Sequence, residues 1–190
     1  MFGPVATPEI QIARVTDPEP RVINYALAAW RELFAPRTNN PTIPIDLAAF
    51  RKVYCAAHSG ACFLVAQVPP SHRQIERQEK GKVVGILAFL PYSPRFKDNA
   101  GALRPELLWS NTKTIEVVRL YVSAEYRGQQ IAQKLIGRLV EEAKDEQAEM
   151  MYLHTHPFLP GAEQLWRKMG WSVVSRDEDA WESIHMTRRI

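Results

Sequence analysis

The chain has 190 residues, 46% hydrophobic and 24% charged, near the average for soluble globular proteins and of a length that makes a single domain, 1–190, the default. Its 24 Lys and Arg against 21 Asp and Glu leave a formal charge of +3, and with no basic stripe and no run of 18 apolar residues, neither a nucleic-acid partner nor a membrane span is expected. Cys55 and Cys62, seven residues apart in apolar surroundings, suit neither a disulfide framework nor a zinc site and read as buried thiols in a reducing cytoplasm.

Residues 1–10 carry two prolines and Glu9 without a basic or apolar leader pattern, so no signal peptide is expected. Ile10–Val15 alternates as a first strand. Asp17, Pro18 and Pro20 then turn the chain into an amphipathic helix over Arg21–Phe34, with Val22, Ala26, Ala29, Trp30 and Leu33 at helical spacing. A second helix is N-capped by Asp46, carries Leu47, Phe50, Tyr54 and Ala57 on one face, and stops at Ser59 and Gly60. Ala61–Val68 and Lys82–Leu90 read as an antiparallel strand pair. The charged stretch Arg73–Lys82 interleaves Glu76 and Glu79 with its bases and reads as a solvated loop. Pro91–Lys113, with three prolines and no sustained period, reads as a loop or short helical insertion that could shape a substrate site. Thr114–Val122 is a strand, Gln129–Glu146 the strongest helix, Met150–Thr155 a strand and Gly161–Met169 a short helix. Trp171–Ser175 and Ile184–Arg189 close the sheet. The order β-α-α-β-β-β-α-β-α-β-β is a mixed α/β pattern.

The most informative segment is Glu116–Ala132, E-V-V-R-L-Y-V-S-A-E-Y-R-G-Q-Q-I-A, a strand running through a tight polar turn into the strongest helix. The amides between Arg127 and Ala132, Gln129 among them, would lack intrahelical acceptors, and the helix dipole adds roughly half a positive charge at the same point, so an anion such as a pyrophosphate fits there. Gly128 allows close backbone approach, Ala132 keeps the first turn uncluttered, and Arg127 offers a charge-assisted contact. The other reading of R-G-Q is a turn that merely precedes a helix.

At these residues the chain resembles the GNAT superfamily of acetyl-CoA-dependent N-acetyltransferases. The family's strand and phosphate-cradling turn are matched by Leu120, Tyr121, Val122, Tyr126, Arg127, Gly128, Ile131 and Ala132, with Gln130 standing where glycine is usual. Ala162, Leu165, Lys168 and Gly170 continue the likeness, and Trp166 replaces the tyrosine that many members use to protonate coenzyme A thiolate. The resemblance implies an α/β (α+β) fold with a mixed, largely antiparallel sheet flanked by helices and splayed near Val122, within the strand 114–122. It also implies acetyl-CoA as co-substrate without a metal, and a primary amine, on a small molecule or a peptide, as acceptor. A homodimer is left open. The alternative is a catalytically weak acyl-CoA-binding or regulatory module of the same fold.

In the mechanism so implied an amine attacks the thioester directly, which requires a base and an oxyanion donor. Simple alternation places Glu116, Val118, Leu120 and Val122 on one face. Members of the family often carry a Glu early in this strand, which nominates Glu116 as general base; the other reading is a half-exposed carboxylate paired with Arg119 or Lys113. The backbone NH of Val122 or a neighbour is the expected oxyanion donor. Tyr121, Tyr152 and His154 are candidate acids in place of Trp166. His154 and His156, an H-x-H at a strand end, suit a polar pair near the acceptor better than a metal site lacking a third ligand. The five tryptophans read as packing residues, with Trp109 a candidate for an acceptor pocket.

Overall fold

Seven apolar runs become strands: β1 (Gln11–Arg14), β2 (Cys62–Val68), β3 (Lys82–Pro91), β4 (Thr114–Val122), β5 (Met150–Thr155), β6 (Ser172–Arg176) and β7 (Ile184–Arg189). The structure is a computed structural model and describes residues 9–38, 42–70, 75 and 80–190. The charged stretch 73–82 therefore lies for the most part outside the described residues. One sheet forms in the order β1-β2-β3-β4-β5-β7-β6. Every neighbouring pair is antiparallel except β4 with β5, because the connection between those two is a crossover carrying a helix.

That helix, α4 (Ile131–Asp145), follows α1 (Pro20–Phe34), α2 (Ile45–Ala48) and α3 (Phe50–Tyr54); α5 (Ala162–Lys168) comes after it. Proline at the first turn starts α1, where its missing NH costs no bond. The single helix expected from Asp46 is two pieces, since Ala49 leaves helical geometry at φ −107°, ψ 33°. Nor does Asp46 cap it: it lies inside the first turn, behind Pro44, and is 5% exposed.

The helices cover two faces. α4 and α5 lay Ile131, Leu135, Ile136, Leu139 and Trp166 on Leu64, Leu87, Phe89, Ile115, Val117, Met151 and Leu153, each fully buried aliphatic contributing roughly 1.5–3 kcal/mol. On the other face, α1 to α3 pack Val22, Ala26, Leu47, Phe50 and Tyr54 against Phe63, Val65, Ile86 and Ala88. The insertion after β3 covers what remains of that face. Its Tyr92 and Trp109 rings stand 4.9 and 5.4 Å from Tyr152, and Phe96 stands 4.6 Å from His185. Beneath it Tyr152 Oη donates to His185 Nδ1 (2.7 Å), and His185 Nε2 donates to Asp177 (3.0 Å), which also pairs with Arg104. Cys62 is fully buried and Cys55 partly so, both as free thiols. Among the described residues no helix is long and apolar enough to cross a membrane.

Candidate active site

β4 and β5 pair only at Thr114 with Met150, Ile115 with Met151 and Glu116 with Tyr152. Past that point they part, and a cavity of about 840 Å³ fills the gap, lined by Val117–Val122 on one side and Leu153–His156 on the other. The opening thus begins several residues before Val122, where the sequence places it.

A bulge shapes this edge. The β3–β4 register shifts between Ile86 and Ala88, and Arg119 sits at φ +64°. One extra residue exchanges the faces that follow it. Val118 packs with the α1 side, yet Leu120 and Val122 pack with the α4 side, and Tyr121 takes the α1 side. The expected alternation of Glu116, Val118, Leu120 and Val122 on one face therefore fails at Arg119. A left-handed arginine costs roughly 1–2 kcal/mol, which is offset by a bidentate pair: Nε and Nη2 donate to buried Asp46 at 3.0 and 2.6 Å. Tyr54 Oη donates to the same carboxylate at 2.7 Å. This triad carries no spacing signal, and the sequence reading missed it.

Beyond the bulge, Ser123 donates its NH to Val84 O across the ladder. Antiparallel alternation then points the NH and C=O of Val122, the residue paired with Gly85, away from β3 and toward the gap. Its carbonyl accepts from Arg127 Nε at 3.0 Å, and the Arg127 guanidinium lies 5.8 Å above the Tyr121 ring. Arg127 so ties the turn back to the strand end. This is a different contact from the phosphate partner expected of it.

The turn itself has the expected form. Gly128 (φ +79°) and Gln130 (φ +60°) are both left-handed. The helix carries no side-chain cap, and the turn's first carbonyl to enter the helical pattern is Gln130 O, which accepts from Lys134 N. A Cβ on Gly128 would meet no atom within 4 Å, so open space lies over the turn and glycine answers the φ requirement. Among the described residues the amides from 128 to 133 meet no backbone acceptor. A row of free amides at a helix N-terminus fits a pyrophosphate. Leu120, Tyr121 and Val122, with Arg127, Gly128, Gln130, Ile131 and Ala132, all line the one cavity; exposed Gln129 does not.

Glu116 does not line it either. It is 4% exposed, and Arg95 from the insertion grips both its oxygens, Nη1 to Oε2 at 2.6 Å and Nη2 to Oε1 at 2.5 Å. Burial opposes its charge, but neighbouring His154 and Arg95 outweigh burial and hold the carboxyl down at about 2. A carboxylate of so low a proton affinity is a poor acceptor of an ammonium proton, which counts against Glu116 as the base itself. Its partner is also neither of the two expected: Arg119 pairs with Asp46, and Lys113 donates to Glu146 O. No sequence rule couples residue 95 to residue 116; only the length of the insertion marked the segment.

The candidate acids separate clearly. Tyr152 is fully buried and its hydroxyl is committed to His185. Tyr121 lines the cavity but donates to Glu32 at 2.5 Å, and burial together with Glu32 pushes it up to about 12. His154 lines the cavity as well. Trp166 is 5% exposed and packs its ring 5.0 Å from Trp171. Trp109 lines a separate small cavity under the insertion, about 170 Å³. The wall of the main cavity on the α1 side is instead built from Trp30, Phe34, His156 and Phe158.

Comparisons with known proteins point the same way. A family model described as the Acetyltransferase (GNAT) family matches residues 27–171. N-acetyltransferase 8F1 of Mus musculus is 31% identical over 147 residues, 77% of this chain and 53% of that protein. The chain spans about half the length of the curated relatives it matches. Among solved structures, an acetyltransferase from Streptococcus agalactiae 2603 superposes with a TM-score of 0.66 at 15% identity, covering 95% of this chain and 98% of that one. A chain of the NatC complex bound to Gag peptide and CoA gives 0.64 at 15% identity, covering 96% and 99%. At these identities the structural likeness concerns the fold.

Proposed function

The chain belongs to the acetyltransferase (GNAT) family, and from that premise we propose that it transfers an acetyl group from acetyl-CoA to a primary amine on a small molecule or a peptide. The observation that carries the reading is the joining of the Arg127–Ala132 turn to the parted strands in a single cavity. The turn supplies a row of amides for a pyrophosphate, and the parted strands supply a slot for an extended arm. Acetyl-CoA, when bound, supplies an acetyl group activated as a thioester. The amides of 128–133 hold the phosphates. Val122 offers its gap-facing NH to an oxygen gaining negative charge, and Trp166 packs beside the arm without donating a proton. The aromatic wall from α1 and from the segment after β5 receives the apolar body of the acceptor. Free thiols at Cys55 and Cys62 accord with a cytoplasmic setting.

The test is a thermal melt with coenzyme A. At about 100 times its dissociation constant a ligand stabilises by about 2.7 kcal/mol, which for this size raises Tm by roughly 5 to 10 °C. Ala132→Asp places a carboxylate in the first helical turn and should abolish the rise. No rise with wild type at millimolar coenzyme A overturns the reading. Binding with no acetylation across an amine panel is the outcome expected of an acyl-CoA-binding module.

A further inference from the structure

We propose that His154 is the general base of the transfer and that Glu116 is its positioning residue, holding the ring with Nδ1–H toward the carboxylate so that Nε2 faces the acceptor amine. The proposal rests on the acetyltransferase reading above and assigns the proton transfer that Glu116 is badly placed to perform.

The geometry has three parts. First, His154 Nδ1 lies 3.4 Å from Glu116 Oε1. Nδ1 is out of reach of solvent and has no formed hydrogen bond among the described residues, yet the side chain is 28% exposed. The exposed edge is therefore the one that carries Nε2, and it lies on the cavity. A gap of 3.4 Å is long for a bond, but catalytic hydrogen bonds commonly tighten only when substrate is bound. Second, His154 sits two residues beyond Tyr152, where the pairing of β4 with β5 ends, so its ring occupies the mouth of the gap. Third, the ring is fenced. Phe96 stands edge-on at 5.4 Å, Tyr152 is stacked at 6.4 Å and His156 is edge-on at 5.6 Å. Arg95 lies 4.7 Å over Phe96 while gripping Glu116, so the insertion fixes the carboxylate and the ring together.

Proton and electron movements balance. The acceptor ammonium gives one proton to Nε2, and its freed lone pair forms the C–N bond as the C–S bond breaks. The second N–H proton neutralises the thiolate, and the imidazolium returns its proton to water. While the ring is charged, Nδ1–H points at the Glu116 carboxylate, whose own charge is balanced by Arg95. The titratable and charged groups around the ring are Glu116 on β4, Arg95 in the insertion, Tyr152 on β5, His156 just after β5, and His185 on β7, 6.3 Å away.

The decisive measurement needs no acceptor. Two-bond 1H–15N spectra of the histidine rings in the full chain at neutral pH, assigned through His154→Gln, should show His154 as the Nδ1–H tautomer, converting to Nε2–H in Glu116→Gln. An Nε2–H ring in wild type overturns the proposal. In acetyl transfer from acetyl-CoA to 2-phenylethylamine, His154→Gln should lower kcat by about 10²- to 10⁴-fold with KM for acetyl-CoA within about threefold of wild type. The deficit should shrink at alkaline pH, where the amine is already deprotonated. Turnover of His154→Gln within about threefold of wild type at neutral pH, well under the range for a positioned base, also overturns it. In either failure the coenzyme A melting shift persists, whereas failure of the acetyltransferase reading removes that shift from wild type.

Discussion

Removing the Arg95 guanidinium isolates the tie between the insertion and the buried carboxylate. Glu116 is ionised at neutral pH whether the chain is folded or unfolded, and folding lowers its carboxyl from 4.5 to about 2. A depressed value stabilises the folded chain fully above about 4.5, and the contribution is lost as pH falls through about 2. At ~1.4 kcal/mol per unit the whole shift corresponds to about 3 kcal/mol. Arg95 supplies only part of it, and its side chain is 46% exposed, so screening reduces the loss in Arg95→Ala to about 1–2 kcal/mol at neutral pH, or roughly 2 to 8 °C in Tm. Urea melts of wild type and variant between neutral and acid pH measure this. The difference should be largest at neutral pH and close as the carboxylate protonates. With Glu116→Gln in the background, Arg95→Ala should cost markedly less, because the charge it serves is gone. A variant as stable as wild type at neutral pH, or a loss of constant size down to the most acid pH reached, would refute the ion pair as the tie.

Other outcomes follow from single contacts. Asp46→Asn deprives Arg119 of its bidentate partner and Tyr54 of a charged acceptor, and should destabilise by about 2–4 kcal/mol in denaturant melts; a loss under about 0.5 kcal/mol, the range of ordinary surface changes, removes the triad as the support of the bulge. Gln130→Gly relieves a left-handed φ of +60° and should raise Tm by a few degrees, for about 1 kcal/mol; a lower Tm shows that the glutamine side chain makes up its backbone cost. Trp166→Phe should keep kcat within about tenfold while lowering Tm, because its ring packs on Trp171; a kcat loss beyond ~10²-fold, the scale of a missing acid, assigns the indole a chemical role.

Elements whose cause is local were legible in the chain. Periodicity marked α1 and α4 to within two residues, short apolar runs marked β2 to β5, and the strand-turn-helix at Arg127–Ala132 announced its free amides, since glycine demand and helix-end geometry depend only on neighbours in sequence. The alternation of β4 misled after Arg119, because a bulge arises from how β3 and β4 share their ladder and Asp46 steadies it from 73 residues away. Glu116 was marked as a site residue, but its environment was out of view: Arg95 comes from a segment without a period, and His154 reaches it only because α4 returns the chain to a parallel neighbour. Sequence fixes propensity and pattern over a few residues. Proton affinity and exposure are set by whatever charges and surfaces long-range pairing brings within about 4 to 6 Å, so the chemistry of the carboxylate was decided only by the tertiary structure.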